Sequence, residues 1–277
     1  MNKKHLNLIF PHWQGGGPDI STYYGTLELR GLYFDVIAYE EVAVSTEDIS
    51  PVQDDILGYT EIYNQLNKAK ALIEDHQPET IFTIGGSCDA DVTSISYLNR
   101  TYNNDMTILY IDAHGDLNTP ESSHTKYFYG MPLRALIGES EEKIVNLFPS
   151  KVEISQIIML GTRDLDEPEK QYVKEESIPV VSVETIENNM DAVLEQIRQK
   201  GRKRIYVHID LDVLEKEEFA HVPLPVEKGL RIQTLLKLLE NLKTEFDIVG
   251  VGLFECQPMG NKKREPLNTI MDLGLNL

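Results

Sequence analysis

The sequence predicts an α/β protein built on a mostly parallel sheet. Short apolar runs rich in β-branched residues alternate with stretches of helical periodicity, the pattern of parallel strands joined by covering helices. Many strand runs are apolar on nearly every residue, as expected of strands covered on both faces. Acids and histidines also gather where the strand runs end, and open α/β sheets bind ligands beyond the carboxyl ends of their strands.

Taken in order, the candidate strands are 5–10, 33–39, 80–84, 106–112, 156–162, 179–183, 204–210 and 248–255. Between them Ile62, Leu66, Ala69 and Ile73 recur at helical spacing, as do Ile232, Leu235, Leu236, Leu239 and Leu242. The stretch 190–200 has the same character, and Gly201 is suited to stop it. Gly15, Gly16 and Gly17 with Pro18 predict a flexible loop after the first strand, without the Lys-Ser/Thr ending of a phosphate loop. The acid-rich segment 164–176 reads as a solvated loop leading into a helix. The chain has 277 residues, 41% of them hydrophobic, enough for a large core. No repeat or linker interrupts it, so 1–277 reads as a single domain.

Lys plus Arg number 26 against 45 Asp plus Glu, a formal net charge of −19. Such acidity disfavours a nucleic-acid partner, whose phosphates are met by basic side chains. It favours solubility, or attraction of a cationic substrate or metal ion. The two cysteines, Cys88 and Cys256, lie far apart and form no disulfide framework; Cys256 reads as a small core residue. The opening run is too short for a signal peptide's apolar core, and no stretch approaches membrane-spanning length. A cytoplasmic location without membrane contact is expected.

Two segments carry the chemistry. In Asp112-Ala113-His114-Gly115-Asp116, and in His208-Ile209-Asp210-Leu211-Asp212, polar groups alternate after an apolar strand run. In extended chain such residues share one face. Clustered carboxylates repel and cost solvation energy when buried, a cost that divalent metal ions remove. The competing reading of such acids is a solvated loop or a helix N-cap cluster. Further polar groups follow other strand ends: Gly85-Gly86-Ser87-Cys88-Asp89, then Asp164, Asp166 and Glu169, and lastly Glu255-Cys256-Gln257-Pro258.

From about Ile81 to Pro258 the chain resembles the arginase-like ureohydrolases. Gly85–Asp89, Asp112–Asp116 and 208–215 stand where that family has Gly-Gly-Asp-His-Ser, Asp-Ala-His-x-Asp and Ser-x-Asp-x-Asp-x-x-Asp-Pro. The resemblance implies a three-layer αβα fold with a mostly parallel sheet of about eight strands, arginase/deacetylase-like, and two Mn2+ ions per chain. It implies that Asp112, Asp116 and Asp210 hold one metal, and that Asp112, His114, Asp210 and Asp212 hold the other, Asp112 and Asp210 bridging. Two such ions can hold a hydroxide at neutral pH. Its attack on a guanidino carbon gives a tetrahedral intermediate that expels an amine once protonated.

The same resemblance implies that Asp212 also relays a proton and that Glu255 pairs with the guanidinium. It implies that Asp166 and Glu169 hold an α-amino group and Asn118 an α-carboxylate. His208 stands where the family has serine and is expected to pack or orient its neighbours. Three departures stand out. Cys88 replaces a metal-binding histidine, and its softer thiolate makes that site weaker or suited to another divalent metal. Tyr129 replaces a proton-shuttling histidine, with His124 a possible substitute and Lys126 a neighbour at the pocket mouth. Glu215 replaces an aspartate. A branch of the family with cysteine at the first position acts on Nω-hydroxyarginine.

The expectation is therefore a metal-dependent hydrolase of the guanidino C–N bond of arginine or a close derivative, Nω-hydroxyarginine included. Its small-molecule product would be urea or hydroxyurea, and its assembly a homo-oligomer, trimer or hexamer. The alternatives are agmatine, guanidinobutyrate, formiminoglutamate or free guanidine as substrate, or a non-catalytic member of the family.

Overall fold

The computed structural model describes residues 3–47 and 49–277; Met1 and Asn2, part of the opening segment read above, and Asp48 lie outside it. Its strands are β1 (His5–Phe10), β2 (Glu40–Glu41), β3 (Thr80–Gly85), β4 (Met106–Ile111), β5 (Ile157–Leu160), β6 (Val180–Val181), β7 (Arg204–Asp210) and β8 (Asp247–Phe254). They form one sheet in the order β2-β1-β3-β8-β7-β4-β5-β6, parallel at every pairing. The helices are α1 (Ser21–Tyr33), α2 (Tyr59–His76), α3 (Val92–Thr101), α4 (Pro132–Ile137) and α5 (Glu142–Val145). They continue as α6 (Glu167–Glu175), α7 (Val183–Asn188), α8 (Met190–Gln199), α9 (Ile232–Glu245) and α10 (Leu267–Leu275).

Strand alternation sorts the apolar side chains into two layers. Leu6, Leu8 and Phe10 of β1, Ile108 and Tyr110 of β4, and Tyr206 of β7 join one cluster with Ile62 and Leu66 of α2 and Leu98 of α3. Ile9, Leu109, Ile111, Ile205, Val207 and Ile209 join the other, with Val193 of α8, Leu235 and Leu239 of α9, and Ile270 of α10. Fully burying each such Leu, Ile or Phe contributes about 1.5–3 kcal/mol. The three-layer αβα expectation holds. Among the described residues no helix is long and apolar enough to cross a membrane.

The strand expected over 33–39 is absent. Tyr33 ends α1, and 34–39 is an irregular segment before the short β2, which pairs with β1 through Leu8↔Glu40 and Ile9↔Glu41. Phe34 is buried against the sheet while Val36 is 93% exposed, so this apolar run turns at a corner instead of extending. The Gly15-Gly16-Gly17 loop forms a 3-10 turn at Gln14–Gly16. Gln14 there is buried and donates its side-chain amide to the Ser45 carbonyl at 2.9 Å.

The order β3-β8-β7-β4 brings four carboxyl ends side by side at the centre of the sheet. Cys88 follows β3, Glu255 follows β8, Asp210 ends β7, and Asp112 follows β4. The register pairs Ile111 with Ile209 and Asp210 with Phe254, so these residues emerge at one level.

Candidate metal centre

The acid pairs converge through side-chain turns rather than through strand alternation. β4 stops at Ile111, and the His114 amide then donates to Oδ1 of Asp112 at 2.6 Å. β7 ends at Asp210, and the Asp212 amide donates to Oδ1 of Asp210 at 2.8 Å. An aspartate that binds the backbone two residues on curls the chain. Each strand end therefore folds its second ligand back toward the first. Asp116 has φ 54°, a conformation disfavoured for residues with a Cβ, and the Tyr110 hydroxyl donates to its Oδ2 at 2.6 Å. Gly115 is required between them: a Cβ there would run into Leu165 and lie 2.8 Å from Oε1 of Glu169.

Contacts between the segments complete the cluster. Nδ1 of His114 lies 2.9 Å from Oδ2 of Asp212 and 3.6 Å from Oδ1 of Asp112. The Ala113 amide donates to Oδ1 of Asp212 at 3.2 Å. The Cys88 thiol donates to Oδ2 of Asp210 at 3.0 Å, and the Cys88 amide to Oε1 of Glu255 at 3.2 Å. Glu255 itself has φ 57°. Such outliers gather where a site holds its residues in place. Cys88, His114, Asp116, Asp210, Asp212 and Glu255 line a cavity of about 260 Å³, and Asp112 is fully buried beside them.

Carboxylates outnumber cationic groups in the cluster. Burial, and then repulsion from neighbouring carboxylates, raise Asp116, Asp210 and Glu255 well above the usual carboxyl range. Burial and the same acids raise the Cys88 thiol. Burial works against a charge on His114, yet Asp212 and Asp112 hold its pKa above the usual imidazole value. Oδ2 of Asp112 is buried with no hydrogen-bond partner, the state a missing cation explains. Ligand atoms of Asp112, His114 and Asp212 lie within 4.8 Å of one another, as do those of Cys88, Asp210 and Glu255 and those of Cys88, Asp112 and His208. These donors fit divalent metal ions, harder at the first grouping and softer wherever the thiol takes part.

A second cavity of about 200 Å³ adjoins the first through His114, Asp116, Tyr129 and Leu224, and is lined further out by Asn118, His124, Asp166 and Glu169. Asp166 and Glu169 cap α6 reciprocally: the Glu169 amide donates to Asp166 at 3.2 Å and the Asp166 amide to Glu169 at 3.0 Å. Asn118 donates to Oδ2 of Asp166 at 2.9 Å. Burial raises the Glu169 carboxyl to about 7. Tyr129 is pushed up to about 12 by burial and by Glu255. His124 is exposed at the outer rim. Lys126 is bound to the Pro120 carbonyl at 2.7 Å and to Asp55 at 3.2 Å, and Glu215 accepts from the Gly229 amide at 3.0 Å.

Sequence reasoning missed three contributors. Arg163 donates to the carbonyls of Asp212, Val226 and Glu227 at 2.9–3.1 Å, tying the segment after β7 to the site; a lone arginine beside an acidic stretch gives no sequence signal for this. His12 and Asp89 form a buried pair at 2.7 Å behind Cys88. Asp91 lies 2.8 Å from His208, whose alternation with Asp210 and Asp212 is visible in the sequence.

Two helical layers around a parallel sheet, with acids, imidazole and thiol at four adjacent strand ends, define an α/β protein with a candidate metal centre at the carboxyl edge of its sheet. A model of the arginase family matches residues 22–271. The chain belongs to the arginase family and is a hydrolase of amidino C–N bonds. It is 29% identical over 256 residues to an arginase of Staphylococcus aureus strain MRSA252, covering 88% of this chain and 84% of that one. In fold it is similar to Entamoeba histolytica arginase solved with L-ornithine, with a TM-score of 0.87 and 18% identity over 99% of this chain and 98% of that one. A formimidoylglutamase of Bacillus subtilis has the same fold, with a TM-score of 0.70 and 18% identity over 98% and 84% of the two chains.

Proposed function

We propose that the protein hydrolyses the guanidino C–N bond of arginine or a close derivative such as Nω-hydroxyarginine, releasing urea or hydroxyurea and an amine. The observation that carries this reading is Glu255, a buried carboxylate lining the same cavity as the acid cluster. A carboxylate suits a planar two-donor cation. The six ligands named from the sequence, Cys88, Asp112, His114, Asp116, Asp210 and Asp212, are the residues that would hold two divalent ions. When bound, such ions make water nucleophilic at neutral pH and offset the acids' charge.

The chain's own residues do the rest. Glu255 orients the guanidinium: the Cys88 amide donates to its Oε1, and its own backbone amide, at φ 57°, donates to the Gly86 carbonyl, which together keep that carboxylate fixed. Oδ2 of Asp212 takes a proton from the attacking water and returns it to the leaving amine. Tyr129, with its pKa near 12, stays protonated and serves as a hydrogen-bond donor rather than as a proton shuttle, leaving exchange with solvent to His124 at the rim. Asp166 and Glu169, with the Asn118 amide beside them, form an acidic wall of the adjoining cavity that would face the substrate tail. That wall favours an amine tail with or without an α-carboxylate, so agmatine is the second reading.

A panel of arginine, Nω-hydroxyarginine, agmatine, guanidinobutyrate and formiminoglutamate decides between them. The highest kcat/KM is expected for arginine or its hydroxy derivative; turnover confined to the others overturns the substrate assignment. Asp210→Ala should lower turnover by at least ~100-fold, since loss of even an outer-shell partner of a metal ligand costs 10–100-fold. Undiminished turnover would sink the ligand set.

A further inference from the structure

His208 lies on β7 two residues before Asp210 and is fully buried. Its ring is sandwiched between Tyr110, at 3.9 Å between centroids and 3° between planes, and Phe254, at 4.9 Å and 14°. The ring plane is thus fixed by packing. Nδ1 lies 2.8 Å from Oδ2 of Asp91, whose Oδ1 accepts the Tyr206 hydroxyl. A carboxylate that already accepts one donor takes a second, so Nδ1 bears the proton and Nε2 presents its lone pair. Room for this pair comes from Gly252, opposite His208 in β8: a Cβ there would lie 2.6 Å from Oδ2 of Asp91.

Nε2 of His208 is buried and has no hydrogen-bond partner, as is Oδ2 of Asp112. The two residues and the Cys88 thiol form one group with ligand atoms within 4.8 Å of one another. An imidazole whose far nitrogen is held by a carboxylate is the arrangement that orients histidine toward a metal. An unpartnered buried acceptor without an ion is costly.

We infer that Nε2 of His208, Sγ of Cys88 and Asp112 form a mixed nitrogen, sulfur and oxygen site for a borderline divalent ion of the zinc or iron class. This rests on reading the cluster as a two-metal centre and gives its halves different chemistry. Asp112, His114 and Asp212 offer only oxygen and one imidazole and suit a harder ion. On the other side, thiolate and imidazole together favour zinc or iron over manganese. The imidazole absent at position 88 is supplied instead from β7, across β8 from the strand that leads to Cys88.

The test is metal binding to the full chain. One equivalent of zinc added to metal-free protein should be found by X-ray absorption with sulfur and imidazole nitrogen in its shell. In the unmutated protein labelled with 15N-histidine, the Nε2 resonance of His208 should move on adding that zinc. His208→Gln should weaken zinc at this site by at least ~100-fold, and the double variant Cys88→His, His208→Gln should recover tight binding of manganese. An unmoved His208 resonance, or unweakened zinc binding in His208→Gln, overturns the inference while leaving the two-metal reading intact. Failure of the unmutated protein to bind any divalent ion overturns both.

Discussion

The Tyr110 hydroxyl donates to Oδ2 of Asp116 at 2.6 Å, and both groups are buried. This bond steadies a ligand whose backbone sits at φ 54°, outside the region its Cβ prefers. In Tyr110→Phe the ring still stacks on His208, but Asp116 loses a donor in a site already crowded with acids. The expected cost is about 1–3 kcal/mol in urea denaturation of the metal-free protein. Bound metal should recover part of it, because the ion replaces the missing donor. Equal stability of the two proteins would show that Asp116 is held by its backbone alone.

Much of this arrangement was legible beforehand, for physical reasons that differ by element. β1, β3, β4 and β7 announce themselves because strands largely buried on both faces are rich in apolar and β-branched residues. Helix α2 does so because its buried residues Ile62, Leu66, Ala69 and Ile73 are apolar and evenly spaced. Helices α1 and α3 were not placed, because they bury Thr22, Gly25 and Thr26, and Ser94, Ser96 and Asn99. Small polar groups that bond inside the fold, as the Thr26 hydroxyl does to the Gly85 carbonyl at 2.8 Å, dilute the apolar periodicity, even in α3 where Val92, Ile95 and Leu98 are buried. The spacing of Asp112, His114, Asp210 and Asp212 points to the cluster that the structure brings together, even though the geometry behind it differs. Period two was read as strand alternation, and the chain uses it for two aspartate-capped turns. The meeting of Asp91 with His208 depends on strand order, which local pattern does not specify.

Glu169 sets a pH dependence. Its pKa rises from 4.5 to about 7 because it is buried. A carboxyl raised on folding stabilises the protein most fully below its unfolded pKa, and that contribution fades as pH climbs through the folded pKa. At about 1.4 kcal/mol per unit, the span is worth at most ~3.5 kcal/mol. Glu169→Gln carries no such titration. Whatever constant cost its amide incurs, the metal-free wild type should lose stability relative to the variant between about pH 4.5 and pH 7, and the gap should be flat above. Denaturation curves of both proteins across that range supply the measurement; parallel pH profiles would place the ionised carboxylate in contact with solvent.

Arg163 governs the wall of the pocket. Its guanidinium holds the carbonyls of Val226 and Glu227 on one side and of Asp212 on the other. It thereby closes the segment that carries Pro223 and Leu224 over the cavity. A planar fork can serve several carbonyls at once, and a lysine ammonium cannot match that geometry. Arg163→Lys keeps the charge and releases most of the clamp, at an expected cost of about 1–3 kcal/mol in overall stability. The larger effect should fall on the mouth: trypsin should cut faster at Lys216 and Lys228. KM for a guanidino substrate should rise several-fold while kcat, which depends on the ligands beneath, changes less. A fall in kcat with KM unchanged would mean that Arg163 acts through the Asp212 carbonyl, holding the acid at the base of the cavity rather than the loop above it.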